Sequence, residues 1–165
     1  TAMVPLDVKI FDIARSNEAL SDVYARYAPQ RISIKDAKAH PTVLVESLAM
    51  ASVAAPAPSE GACALSLPER LVSEGLLSEA QLETVIMAET AFGHDLPGRF
   101  SVTEKNLLQR ADEDAEARAY RKGYFLGDGT GCGKGRQVAG LIFAGWGAGR
   151  RKALWVSRSA TLVLS

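Results

Sequence analysis

Tyr124-Phe125-Leu126-Gly127-Asp128-Gly129-Thr130-Gly131-Cys132-Gly133-Lys134-Gly135-Arg136 is the stretch that decides the fold. A short apolar run, residues 124–126, enters a segment with glycine at every second position from 127 to 135. The chain then turns apolar again through Val138, Ala139, Leu141, Ile142, Phe143, Ala144 and Trp146. Residues 136–146 are apolar nearly all round, the pattern of a helix laid over a sheet. Gly147 and Gly149 mark its end. Ala153-Leu154-Trp155-Val156 follow as a continuous apolar run, the pattern of a buried parallel strand. Strand, glycine loop, helix and strand in that order make a βαβ unit.

Alternating glycines ahead of a helix suit the capture of an anion. Backbone N–H groups converge on one phosphate where φ can turn positive, which glycine allows. The following helix aims its N-terminus at that phosphate. Lys134 is the side chain that reaches the β and γ phosphates. Gly129, Gly131, Gly133 and Gly135 supply the turns, and Asp128, Thr130, Cys132 and Arg136 complete the loop. The usual spacing, G-x-x-x-x-G-K-[ST], is broken twice: Asp128 stands where its first glycine belongs, and Gly135 where its hydroxyl belongs. That hydroxyl ordinarily holds magnesium. Thr130 lies too early in the loop to replace it. A magnesium ion arriving with ATP is therefore expected to be held by water, by the nucleotide or by an acidic residue elsewhere. A dinucleotide fingerprint, G-x-G-x-x-G/A, fits no glycine pair, because its third position meets Cys132, Lys134, Arg136 or Val138. A glycine-rich turn without ligand is the remaining alternative.

Upstream the signals are weaker. Leu20, Val23 and Tyr24 predict a short helix over 17–27, and 31–34 alternates like a short strand. A helix is expected to start near Thr42, after Pro41. Residues 54–64, with Pro56, Pro58, Ser59 and Gly61, read as a linker, and 68–73 as a helical turn. Ser78 and Gln81 match a capping box at the start of a helix whose apolar face is Leu82, Val85, Ile86, Ala88 and Phe92, with Gly93 as its stop. Residues 94–122 read as a loop or hairpin with a short helix near 112–120.

At 47% hydrophobic and 23% charged, the 165 residues have the composition of an ordinary globular domain with a core. No run of about 18 apolar residues predicts a membrane span, and the first ten residues lack a signal peptide's pattern. Two cysteines, Cys63 and Cys132, are too few for a disulfide framework, so a reducing, cytoplasmic setting is expected. His40 and His94 have no metal-ligand spacing. Net charge is zero but uneven. Asp112, Glu113, Asp114 and Glu116 cluster ahead of the loop, and no Asp or Glu follows Asp128. Lys134, Arg136, Arg150, Arg151, Lys152 and Arg158 stand there with no acid near them in sequence, a balance suited to phosphates or nucleic acid.

Residues 123–137, followed by Arg150-Arg151-Lys152-Ala153-Leu154-Trp155-Val156-Ser157, resemble the Strawberry notch family of helicase-like proteins, superfamily 2 ATPases of DExD/H type. Ala19-Leu20-Ser21-Asp22-Val23-Tyr24, His40-Pro41-Thr42, Leu67-Pro68-Glu69-Arg70-Leu71 and residues 76–83 resemble that family's N-terminal region. The resemblance implies an α/β fold: a partial RecA-like P-loop NTPase domain with a truncated parallel sheet over 77–165, preceded by a mostly helical, family-specific region over 1–76. It implies ATP as ligand, Lys134 on the β and γ phosphates, residues 128–136 as the cradle, Gln81 as an adenine reader, and Arg158 as a contact to nucleic-acid backbone. Such ATPases need carboxylates on a later strand and a second RecA-like domain. The fragment is thus expected to bind nucleotide without hydrolysing it alone. The chain does not open on Met, consistent with a start inside a longer product. A non-catalytic scaffold that retains the loop, or a small P-loop kinase, are the alternatives.

Overall fold

A computed structural model describes residues 2–11, 19–27, 29, 32–51, 65–128 and 131–157. Its elements, in order, are strands β1 (Met3–Pro5), β2 (Val8–Ile10), β3 (Tyr24–Arg26), β4 (Ile32–Ile34) and β5 (Val45–Ser47), helix α1 (Leu48–Ala51), strand β6 (Ser66–Pro68), helices α2 (Glu69–Ser73) and α3 (Glu79–Phe92), strands β7 (Phe100–Val102) and β8 (Leu108–Arg110), and helix α4 (Lys134–Gly147). The strands form four antiparallel pairs: β1 with β6, β2 with β4, β3 with β5 and β7 with β8.

α3 lies at the centre. Its residues from Ala80 to Ala88 are all buried, polar ones included. The start obeys the capping box: Ser78 Oγ accepts from Gln81 N–H at 3.4 Å, and Gln81 Oε1 accepts from Ser78 N–H at 3.0 Å. These bonds satisfy donors that a helix start otherwise strands. Leu82, Val85 and Ile86 enter one core with Leu6, Ile32, Ile34, Leu67, Val72, Leu77 and Ala144. That core draws on residues from both sides of position 76. α4 packs on α3 and β6 through its small residues. Its buried face is Gln137, Gly140, Ala144 and Gly145. At Gly140 an added Cβ would sit 3.0 Å from both Leu77 Cδ1 and Val85 Cγ2, so these two side chains rest directly on the α4 backbone.

Several expectations are corrected. Among the described residues the region before 77 is not mostly helical: β1 to β6 account for most of its elements there. In place of a helix through 19–27, Ser21 Oγ accepts from the N–H groups of Val23 (3.2 Å) and Tyr24 (3.1 Å), a local turn that competes with the helix, and β3 then pairs with β5. The helix expected from Thr42 gives way to β5 and the single turn of α1, in keeping with β-branched Val43 and Val45. No helix forms near 112–120. Asp112 Oδ1 accepts from Arg99 N–H at 2.7 Å and Asp114 Oδ1 from Glu116 N–H at 2.9 Å, which fold the acidic cluster back onto the β7–β8 hairpin. The Arg99 N–H and then Arg110 hold the Asp112 carboxyl below the usual range, and the Ser101 hydroxyl and then the Glu116 N–H do the same for Asp114.

Nor does a parallel sheet form among the described residues. The runs at 124–126 and 153–156 have no ladder partner, and Phe125, Leu154 and Val156 are 84%, 90% and 83% exposed. A strand is made by its hydrogen-bonded neighbour, and apolar content alone does not supply one. α4 accordingly packs on α3 and on β6, and covers no parallel sheet among the described residues, leaving Phe143 and Trp146 half exposed. The capped helix at 78, its Gly93 stop, the strand at 32–34, the helical turn at 69–73 and the hairpin stand as expected. The linker at 54–64 lies outside the described residues.

Because Gly140 meets Leu77 and Val85 at contact distance, Gly140→Val is expected to destabilise the fold by about 1–3 kcal/mol through overpacking. Urea unfolding would check this, and a midpoint equal to wild type would contradict the close approach.

Candidate phosphate-binding site

The loop reaches α4 through two glycines in the left-handed region, Gly131 at φ 90° and Gly133 at φ 72°. Gly133 is the N-cap and offers no side chain, and no acidic residue occupies the first turn. A 14-residue helix thus presents its positive end with no side-chain cap and no compensating charge. Lys134, the first helical residue, folds back and donates from Nζ to the Asp128 carbonyl at 3.0 Å, which places its ammonium across the loop. A Cβ at Gly131 or Gly135 would meet nothing within 4 Å, so space is open on that side.

The other side of the loop is held by buried amides. Gln81 donates from Nε2 to the Cys132 carbonyl at 2.9 Å. Gln137, on the first turns of α4 and 1% exposed, donates to Asp128 Oδ2 at 2.7 Å and to the same Cys132 carbonyl at 3.4 Å. Beneath them, the Tyr27 hydroxyl donates to Glu83 Oε2. Burial pushes the Tyr27 hydroxyl far above its usual range, and Glu83 and then Asp128 add to this. Tyr124 is pushed up in the same way, by burial first and then by Asp128 and Glu83.

A glycine cradle, an uncapped helix and a lysine across them form a phosphate-loop arrangement, and comparison with known proteins agrees. Residues 39–164 match the family model described as P-loop containing NTP hydrolase pore-1. The chain is 34% identical to protein strawberry notch of Drosophila melanogaster over 143 residues, covering 87% of this chain and 7% of that protein. It is 34% identical to protein FORGETTER 1 of Arabidopsis thaliana (86% and 9%) and 31% identical to strawberry notch homolog 1 of Homo sapiens (86% and 8%). The chain belongs to the Strawberry notch family. It spans less than a tenth of the length of these relatives. No solved structure matches it.

Within this family member the expected site residues divide. Asp128, Gly131, Cys132, Gly133, Lys134, Gly135 and Arg136 come together in the loop, with Gln81 directly against it. Gly129, Thr130 and Arg158 lie outside the described residues. Arg150 has a partner that is distant in sequence, Glu89 on α3 at 2.7 Å, and Arg151 stacks 4.5 Å over the Trp146 ring. Tyr27, Glu83 and Gln137 belong to the site and sequence reasoning missed them. Their polar side chains at positions with no motif gave no sign that they would be buried.

The residues fit a phosphate group. They do not fit a directly held magnesium ion: Gly135 has no hydroxyl, the Asp128 carboxylate is engaged by Gln137, and the described residues contain no cluster of three or more metal-ligating side chains. Gln137 Oε1 is buried without a hydrogen-bond donor, one acceptor that does not by itself make a cation site. His40 bonds Ser78 Oγ at 3.0 Å and His94 the Thr90 carbonyl at 2.8 Å, both structural contacts. No helix among the described residues is long and apolar enough to cross a membrane.

The Tyr27–Glu83 bond has a pH consequence. The folded phenol resists ionisation while the unfolded one ionises near its ordinary 10.0, so the bond's stabilisation is complete below that pH and is lost as pH rises above it. Tyr27→Phe is expected to cost about 1–3 kcal/mol at neutral pH. The gap from wild type should narrow towards about pH 11 in urea unfolding, and a constant gap would contradict the assignment.

Proposed function

We propose that this chain is the nucleotide-binding opening of a helicase-like ATPase, taking ATP by its phosphates at the loop of residues 128–136. The observation that carries the reading is the conjunction of Gly131 and Gly133 at positive φ with an uncapped helix that begins on Lys134. In this reading backbone N–H groups of the loop, with Gly129 and Thr130 completing it, hold the β and γ phosphates. Lys134 moves its ammonium from the Asp128 carbonyl toward them, and Arg136, exposed at the rim, adds positive charge. A charge-assisted contact of this kind is among the strongest a protein makes to phosphate.

Binding and orientation are what these residues supply. Phosphoryl transfer to water also needs carboxylates that hold magnesium and orient the attacking water. No Asp or Glu follows Asp128 in this sequence, so we assign the metal and the hydrolytic step to other parts of the protein. We further propose that residues 77–165 open a RecA-like domain in which the exposed runs at 124–126 and 153–156 become sheet strands beside partners not described here. The apolar side chains of Phe125, Leu154 and Val156 favour this, since each is more than four-fifths exposed and a strand partner would cover them. Nucleic acid is the proposed partner of the whole protein, with Arg158 as a contact to its phosphates.

Lys134→Ala tests the reading. In the full-length protein it is expected to weaken a fluorescent ATP analogue by about 10- to 100-fold, the loss of one charge-assisted hydrogen bond. Unchanged binding would sink the proposal and favour a scaffold in which the loop is only structural.

A further inference from the structure

We infer that Gln137 is a positioning residue that holds the Asp128 carboxylate away from the bound anion, and that this contact lets the loop carry an acid where a phosphate loop ordinarily has glycine. This rests on the reading that the loop holds a nucleoside triphosphate. Asp128 stands at the position of the motif's first glycine. A triphosphate carries several negative charges, so a carboxylate left free at the mouth of its cradle would repel it.

Gln137 is the fourth residue of α4, and helical side chains lean back toward the N-terminus. It therefore reaches the loop that precedes its own helix. Nε2 donates to Asp128 Oδ2 at 2.7 Å and to the Cys132 carbonyl at 3.4 Å, so both amide hydrogens meet acceptors. The residue is 1% exposed and its Oε1 has no donor. A flipped amide would set that oxygen against two others, so the N–H side is fixed on the carboxylate. The Asp128 charge also reaches Tyr27 and Tyr124, where burial is the main cause of the raised phenols and the charge adds to it. The carboxylate thus lies on the buried, tyrosine side of the loop. The Asp128 carbonyl, by contrast, accepts from Lys134 Nζ at 3.0 Å. α4 holds this one residue twice. When Lys134 moves its ammonium to the phosphates, the carbonyl contact is given up and the buried carboxylate contact remains. Gln137 keeps the acid turned inward at the step where its repulsion would matter most.

Gln137→Met removes both N–H donors and keeps a side chain of similar length. The full-length protein would be titrated with ATP and with inorganic tripolyphosphate, both without magnesium so that no metal masks the carboxylate. Gln137→Met is expected to bind both ligands about tenfold more weakly. Adding Asp128→Asn to the same chain should return most of that loss, because the released group is then uncharged. Asp128→Asn alone should bind both about two- to fivefold more tightly than wild type at low salt, an advantage that fades as salt screens the charge. A Gln137→Met loss that Asp128→Asn does not relieve would make the amide a merely structural group and overturn the inference. So would unchanged binding in Gln137→Met. Binding by Asp128→Asn that is no tighter than wild type at low salt would overturn it even if Gln137→Met fails to fold. Wild-type protein that binds neither ligand would overturn the nucleotide reading itself.

Discussion

A helix buried on all sides must satisfy its polar groups from whatever surrounds it, and α3 imposes that constraint on this structure. From Ala80 to Ala88 nothing on it faces water, yet Gln81, Glu83 and Thr84 lie in that stretch. Buried polar atoms without partners are costly, so the neighbours are organised around them. Gln81 takes the Cys132 carbonyl and Glu83 takes the Tyr27 hydroxyl. One turn earlier, Glu79 Oε1 accepts from the Ile34 N–H at 3.2 Å, and the Glu79 N–H donates to the Lys38 carbonyl at 2.8 Å. The segment before position 50 and the glycine loop after position 127 are thus tied to the same helix, on its first two turns. Disturbing either should be felt by the other.

Local rules were legible where the physics is local. The spacing of Ser78 and Gln81 fixed the start of α3, and the glycines ahead of the expected helix at 136–146 placed α4 to within two residues of its observed start at Lys134, because caps and φ preferences act over a few residues. The strands were harder. Tyr24 and Val23 sit at helical spacing from Leu20, but Ser21 bonds the backbone locally and β5 supplies a pairing partner that no window around residue 24 contains. The expected strands at 124–126 and 153–156 failed for the converse reason: their apolar content is real, but no partner lies beside them among the described residues.

The candidate site was half legible. Its glycines and lysine were visible, since an anion cradle needs those residue types at that spacing. The buried underside was not. Gln81 was read through its cap and through a family resemblance, and its amide turned out to face the loop. Gln137 and Glu83 matter only because α4 packs on α3 through Gly140, Ala144 and Gly145 and brings their side chains beneath the Cys132 peptide and Tyr27. Gly135, which departs from the common motif, is not enforced by crowding, since a Cβ there meets nothing within 4 Å. The departure concerns metal chemistry and leaves the glycine cradle and Lys134 in place.

The central claim is that backbone N–H groups between Gly131 and Gly135 receive a triphosphate. Amide hydrogen exchange of the full-length protein, measured with and without saturating ATP, addresses it most directly. The account predicts slowed exchange at residues 131–135 and little change in the β7–β8 hairpin. Saturating nucleotide that leaves those five amides unprotected would contradict it.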